Sequence, residues 1–301
     1  MRQPPLVPPV AVAPPTLRQG AFRGSRAVAD GLLTPNQLRG PAWRRLFEDV
    51  YVHDDHPVTH ALRACAAAAL VVPGSVVTGR SAAVLWGVDM AAVETDVELT
   101  MPPSANPRRI PGVQVRRAAL PVGHVRLHRD VPVTSPAATA LRLASSSDGD
   151  EAVVAVDRLA AAGLTTLQDV RSLAADARGP GASRARRACA LADGLAQSPQ
   201  ETRLRLLVGR SALPPPVAQF TVRDRAGFVA RVDFAWPERK VALEYDGLWH
   251  AAADQFAHDR RRLNRLHAAG WRVFFVTAAD LRDPAQHIAR VVAFLDQATV
   301  R

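Results

Sequence analysis

The stretch Phe228-Val229-Ala230-Arg231-Val232-Asp233-Phe234-Ala235-Trp236-Pro237-Glu238-Arg239-Lys240-Val241-Ala242-Leu243-Glu244-Tyr245-Asp246-Gly247 decides how the last third of the chain folds. Before Pro237 the residues alternate, with Val232, Phe234 and Trp236 on one face and Arg231, Asp233 and Ala235 on the other. After Lys240 they alternate again, Val241, Leu243 and Tyr245 opposed to Ala242, Glu244 and Asp246. A period of two is the pattern of strands. A four-residue turn over 237–240 sets Trp236 against Val241, Phe234 against Leu243, Asp233 against Glu244 and Arg231 against Asp246. A slip of one residue would send the two carboxylates to opposite faces, so the apolar pattern selects the register.

Two carboxylates directly opposite on one sheet face lie ~5 Å apart at Cβ and repel unless a cation or a shared proton compensates them. Hard oxygen ligands in that arrangement suit Mg²⁺ or Mn²⁺. Asp233 and Glu244 are thus the expected metal-binding pair. Asp246 is either a further site residue or half of a cross-strand ion pair with Arg231.

Working outward, residues 220–225 form a β-prone run joined to the next by Ala226-Gly227, and Ser198-Pro199-Gln200-Glu201 is a capped start for a helix reaching residue 208. Downstream, a helix over 254–269 carries Arg260, Arg261 and Arg262; Gly270 ends it, and a strand over 271–277 and a helix over 281–295 follow. The predicted order is helix, three strands, helix, strand, helix.

That order, with Val232-Asp233-Phe234-Ala235-Trp236-Pro237, Leu243-Glu244-Tyr245-Asp246-Gly247 and His250 shortly after, resembles the PD-(D/E)XK nuclease superfamily, in particular its very-short-patch-repair endonuclease-like members, over residues 198–301. The resemblance implies a restriction-endonuclease-like αβββαβα domain that hydrolyses phosphodiester bonds. It implies that Asp233 and Glu244 bind divalent metal, Mg²⁺ or Mn²⁺, that Glu201 assists, and that His250 acts as base, the alternatives for His250 being a helix cap or a phosphate contact. The lysine expected two residues after the second acid is replaced by Asp246, which leaves Lys240 or Arg231 to supply that charge.

The front of the chain starts with a proline-rich tail, residues 1–16, with the character of a disordered, polyproline-prone segment. Thr34-Pro35-Asn36-Gln37 is a capped helix start, residues 42–47 read as a basic helix with Arg44 and Arg45 on its outer side, and Val50-Tyr51-Val52 is a short strand. Helix, turn, basic helix and strand is the order of a winged helix-turn-helix over 17–56, with Arg44 and Arg45 as DNA contacts. His53-Asp54-Asp55-His56 reads as a solvated loop rather than a metal site.

An α+β middle domain over 57–177 has expected helices at 60–72, 81–86, 135–144, 151–162 and 166–177, and strands at 97–101, 113–117 and 125–128. A linker rich in Gly, Pro and Arg over 178–187, within a linker-and-helix stretch over 178–197, precedes the last domain. Leu33-Thr34-Pro35-Asn36-Gln37-Leu38, Trp43-Arg44-Arg45-Leu46, Val50-Tyr51-Val52, Ser81-Ala82-Ala83-Val84-Leu85-Trp86-Gly87 and Pro132-Val133-Thr134-Ser135-Pro136-Ala137 resemble the AbiEi-type antitoxin and transcriptional-regulator proteins over about residues 17–145. That resemblance implies an N-terminal winged helix and a toxin or defence-locus protein as partner.

Composition agrees with a nucleic-acid partner, DNA favoured. The 301 residues carry a formal charge of +10, and of the 38 basic residues Lys240 is the single lysine. Arginines that neutralise phosphates release counterions from nucleic acid. Cys65 and Cys189 are isolated and without zinc-ligand spacing, which fits a reducing cytoplasm. No signal-peptide pattern and no apolar run of ~18 residues occurs, so neither export nor a membrane location is expected. The combined expectation is an α/β multidomain protein acting as a metal-dependent endonuclease. Its alternatives are a non-catalytic DNA-binding regulator or antitoxin on a degenerate nuclease fold, and an interaction module of a defence or mobile-element locus.

Overall fold

The computed structural model describes residues 14–246 and 253–299. The chain is a mixed α/β protein of two compact units, Met1–Arg142 and Leu143–Arg301. Among the described residues no helix is long and apolar enough to cross a membrane.

In the first unit, β1 (Phe22–Arg23), α1 (Gly24–Ala29), α2 (Pro35–Leu38), β2 (Trp43–Phe47) and β3 (Val50–His53) lead into α3 (His60–Ala66), which continues as a π-helical turn over Ala67–Val71. Then come β4 (Val76–Val77), α4 (Gly79–Leu85), β5 (Val97–Met101), β6 (Val113–Arg117), β7 (Val125–His128), β8 (Val131–Thr134) and α5 (Pro136–Ser146), whose last residues pass into the second unit. Strands β1-β3-β2 make an antiparallel sheet, and β6-β5-β4-β8-β7 a mixed one. The capping box at Thr34 forms as expected, with Gln37 N–H on the Thr34 hydroxyl and the Gln37 side chain returning to Thr34 N–H.

The basic helix expected over 42–47 is instead strand β2. Val50-Tyr51-Val52 needs a partner, and Glu48-Asp49 closes a two-residue turn in which Asp49 takes a φ of 60°. Ser25 N–H and its hydroxyl donate to the Asp49 carboxylate and hold it there. Trp43 and Phe47 bury their rings while Arg44 and Arg45 stay exposed, so strand pairing overrides the helical reading of Trp43-Arg44-Arg45-Leu46. Sequence inspection also passes over the short strands β4 and β8, which are central to the five-stranded sheet.

The second unit contains α6 (Gly149–Ala161), α7 (Leu167–Asp176), α8 (Ala182–Leu191), α9 (Pro199–Gly209), β9 (Val217–Asp224), β10 (Gly227–Trp236), β11 (Val241–Tyr245), α10 (Ala253–Ala268), β12 (Arg272–Val276) and α11 (Pro284–Thr299). Its sheet runs β12-β11-β10-β9, antiparallel except for the β11–β12 pair. From α9 onward the element order is the one expected. The anticipated linker over 178–187 is helical from Ala182, because Ala182, Ala185, Ala188 and Cys189 recur at helical spacing and are buried. Helices α6 to α8 therefore belong with the C-terminal sheet rather than with a middle domain.

Both faces of this sheet are covered. Phe234, Trp236, Val241 and Leu243 pack with Leu204 and Val208 of α9 and Val291 and Leu295 of α11. Ala235 and Ala242, one residue over on each strand, pack with Leu266 of α10 and Trp271. The even-odd split read from sequence is thus a split between two cores over 234–236 and 241–243, but Val232, expected with Phe234, packs instead with Ala235 and Ala242; Glu244 meets α10 through Arg262.

Candidate functional site

The turn 237–240 closes with Lys240 in the left-handed region, φ 48°. It fixes the ladder Trp236↔Val241, Ala235↔Ala242, Phe234↔Leu243, the register expected. The ladder ends there, so the expected next pair, Asp233 with Glu244, is not a strand pair, although the Glu244 charge acts on Asp233. The Tyr245 N–H donates to Asp233 Oδ2 at 2.9 Å, so the carboxylate takes an amide that a longer ladder would have used. Asp246 N–H turns the other way, to the Val276 carbonyl at 2.7 Å on β12.

Glu244 is 8% exposed, and both of its oxygens are engaged by Arg262 of α10, at 2.8 Å to Oε2 and 2.7 Å to Oε1. Arg262 also donates to the Arg231 carbonyl at 2.9 Å. Glu201 is buried in the first turn of α9, where the Ser198 hydroxyl caps its N–H and its own Oε2 accepts from Gln197 N–H and the Gln219 side-chain amide. These partners hold Glu201 with its charge close enough to act on Asp233.

Burial raises the Asp233 carboxyl to about 6; the Tyr245 N–H opposes this, the Glu201 and Glu244 charges add to it, and Arg262 partly offsets them. Three carboxylates thus meet one guanidinium. A net negative charge in a partly desolvated place is relieved by a proton or by a further cation. No group of three or more His, Cys, Asp or Glu side chains close enough to hold a metal ion occurs among the described residues. A metal bound here would have Asp233 and Glu244 as its candidate donors. Two carboxylates fit Mg²⁺ or Mn²⁺, whose remaining positions are ordinarily filled by water and substrate phosphate.

A cleft of about 420 Å³ lies between β10 and α10, lined by Arg231, Arg261, Arg262 and Arg265 together with the 228–230 segment. Arg265 donates to the Phe228 carbonyl, while Arg231 and Arg261 have no acidic partner among the described residues. Four guanidinium groups on one cleft give it a positively charged lining. Arg265 and the Arg262–Glu244 contact were missed by sequence reading. The signal available was the spacing of Arg261, Arg262 and Arg265, three and four residues apart on one helix.

The other expected site residues fall elsewhere. Lys240 is four residues from Glu244, about 13 Å along a strand, and its ammonium donates to the Ala269 carbonyl at 3.4 Å. It does not reach the carboxylates. Asp246 is exposed at the end of β11, and the Arg231–Asp246 ion pair does not form, since β11 turns to β12 at that point. Arg260 is exposed on α10 and is not among the residues lining the cleft. His250 lies outside the described residues. In the first unit Arg44 pairs with Asp54, whereas Arg45 is exposed with one bond, to the Phe47 carbonyl.

No family model matches the chain. It is 31% identical over 197 residues to the Mycobacterium tuberculosis proteins named "Uncharacterized protein Rv2248" and "Uncharacterized protein MT2308", covering 62% of this chain and 73% of each relative. Among solved structures it is similar to the RV2827C protein of Mycobacterium tuberculosis, with a TM-score of 0.38 and 15% identity over 68% of this chain and 84% of that one. The chain belongs to the family of the two mycobacterial relatives.

Proposed function

We propose that this member of the Rv2248 family is a metal-dependent endonuclease that hydrolyses phosphodiester bonds in nucleic acid, DNA being the favoured substrate. In this reading the second unit carries a PD-(D/E)XK-type domain related to very-short-patch-repair endonucleases, and the first unit a winged DNA-binding element. The observation that carries it is the half-buried Asp233 beside the buried Glu244, their charges acting on each other and short of positive charge, next to a four-arginine cleft.

The arginines bind and orient the sugar-phosphate backbone, and the two carboxylates hold Mg²⁺ or Mn²⁺ beside it. Asp233 and Glu244 would hold the metal, and when bound it would supply an activated water and charge neutralisation at the attacked phosphate. Glu201, held by Gln197 and Gln219, keeps the carboxylate group negative enough to favour a dication.

A second reading, a non-catalytic DNA-binding regulator or antitoxin with a toxin or defence-locus partner, is favoured by one observation: no lysine reaches the carboxylates. Asp246 stands at the usual lysine position and Lys240 is tied to the Ala269 carbonyl.

Cleavage assays on duplex DNA, single-stranded DNA and RNA separate the two readings. With Mg²⁺ or Mn²⁺ the wild type cuts, and Asp233→Asn and Glu244→Gln each abolish cutting while retaining binding in a gel shift. Binding of DNA without cleavage of any substrate, with no uptake of divalent metal in calorimetry, would establish the regulator instead.

A further inference from the structure

We propose that Arg262 is a phosphate-responsive latch on the metal pair: in the free protein its guanidinium holds Glu244, and a phosphate group entering the arginine cleft draws it away, so that nucleic acid and divalent metal bind cooperatively. This rests on the metal-dependent reading given above.

The latch is closed in the structure. Arg262 grips both oxygens of Glu244 in a bidentate pair, with side-chain exposures of 27% and 11%. A guanidinium so placed takes one lone pair from each carboxylate oxygen. A dication on the same carboxylate would stand beside a cation in a poorly screened setting, so the arginine and the metal compete. The Asp233 and Asp259 charges also act on Arg262 and favour its charged form.

The same guanidinium also lines the cleft with Arg231, Arg261 and Arg265. A phosphate there meets the positive field of the neighbouring arginines and offers Arg262 two oxygens in the planar geometry that Glu244 offers. Phosphate is thus an exchange partner for Glu244, and transfer of Arg262 to it releases the carboxylate to the metal. Arg262 has only to change partners between the two walls it already touches, because Nη2 also bonds the Arg231 carbonyl on the cleft side. Coupling of this kind is reciprocal, so metal must tighten nucleic-acid binding by the factor by which nucleic acid tightens metal binding.

The test uses the full chain, Mn²⁺ as the metal probe and a short DNA duplex whose backbone resists hydrolysis. Mn²⁺ binding is measured on wild type and Arg262→Gln without DNA, and duplex affinity is measured for both with Mn²⁺ and with chelator at matched ionic strength. The variant is expected to bind Mn²⁺ about tenfold more tightly than wild type, and Mn²⁺ is expected to tighten duplex binding by about tenfold in wild type, within the usual range of coupling, but not in the variant. Equal Mn²⁺ affinities with a duplex affinity indifferent to Mn²⁺ would overturn the latch and leave the metal reading standing. Absence of Mn²⁺ binding to both proteins would overturn the metal reading and the latch together. If Arg262→Gln does not fold by circular dichroism, the wild-type measurement decides alone, since a duplex affinity that ignores Mn²⁺ is incompatible with the exchange.

Discussion

The second unit withdraws two aspartates from water, Asp157 fully and Asp233 in part, and treats them in opposite ways. Asp157, on α6 and 0% exposed, is answered on every side: Oδ1 accepts the N–H groups of Asp193 and Gly194, and Oδ2 accepts the Thr202 hydroxyl and an Arg205 guanidinium N–H. Asp233, on β10, has one described donor, the Tyr245 N–H, and shares its surroundings with Glu201 and Glu244. The first arrangement ties α6 to α9 and to the segment before it; it leaves no demand for anything from outside. The second leaves three carboxylates with one guanidinium to offset them. Lack of compensation, rather than burial alone, is what makes Asp233 a candidate site.

The comparison is broken most severely at Asp157. Asp157→Ala removes one of Arg205's partners, leaving it Asp193 and the Leu191 carbonyl, and frees two backbone amides, so the loss should approach the lower end of the about 3–5 kcal/mol that one-sided breaking of a buried pair costs. Denaturant unfolding should show a loss of that order for the second unit. A loss below about 1 kcal/mol would mean that this network contributes little to holding the helices together.

Asp233 responds with the opposite sign. Its pKa in the folded state, about 6, lies above the ordinary value of 3.8. Its protonated form is therefore favoured by folding: that contribution is complete below 3.8 and is lost as pH rises through about 6. A rise of this size corresponds to roughly 3 kcal/mol of penalty on the metal-free protein at neutral pH and above, as an upper bound. Asp233→Asn should then stabilise the protein by up to that amount in chelator at pH 8, and by almost nothing at pH 4. Excess Mn²⁺ should reverse the order, with wild type the more stable. An Asn variant no more stable than wild type at pH 8 would show that the carboxylate group is not under electrostatic strain.

The difference between the two aspartates also explains what could be read from the sequence. The β10–β11 register was legible because a short turn and a period-two pattern are local, and a slip would have exposed Phe234 and Leu243 to the wrong face. Asp157 was not legible, since Asp193, Thr202 and Arg205 reach it only once α6 and α9 are packed. The Arg262–Glu244 contact depends in the same way on the rotation of α10 over the sheet. At 42–47 the local signal misled, because arginines beside a tryptophan suit an amphipathic helix as well as a strand, and the choice was made by Val50 to Val52 across the turn. The alanines of α8 were masked by the glycine, proline and arginine around them, whose composition suggested a linker.

The smallest expected effect repeats the comparison in the first unit, between Arg44 and Arg45. Both are exposed on β2, and both are DNA contacts in the proposed reading. Arg44 is already committed: its guanidinium holds the Asp54 carboxylate and donates to the Asp54 carbonyl at 2.7 Å, and the same pairing holds the Asp54 carboxyl below its ordinary value. Arg45 has no acidic partner among the described residues, so its charge is available to a phosphate. Each phosphate neutralised adds about 0.9 to the slope of log affinity against log salt. Arg45→Ala should weaken duplex binding a few-fold and reduce that slope by about one, whereas Arg44→Ala should leave the slope nearly unchanged. Asp54→Asn should do the reverse of Arg45→Ala, freeing Arg44 and steepening the slope. Gel shifts over a salt series read all three. Equal changes for Arg44→Ala and Arg45→Ala would show that the ion pair with Asp54 gives way to phosphate, and no change in any variant would place the DNA-binding surface away from this hairpin.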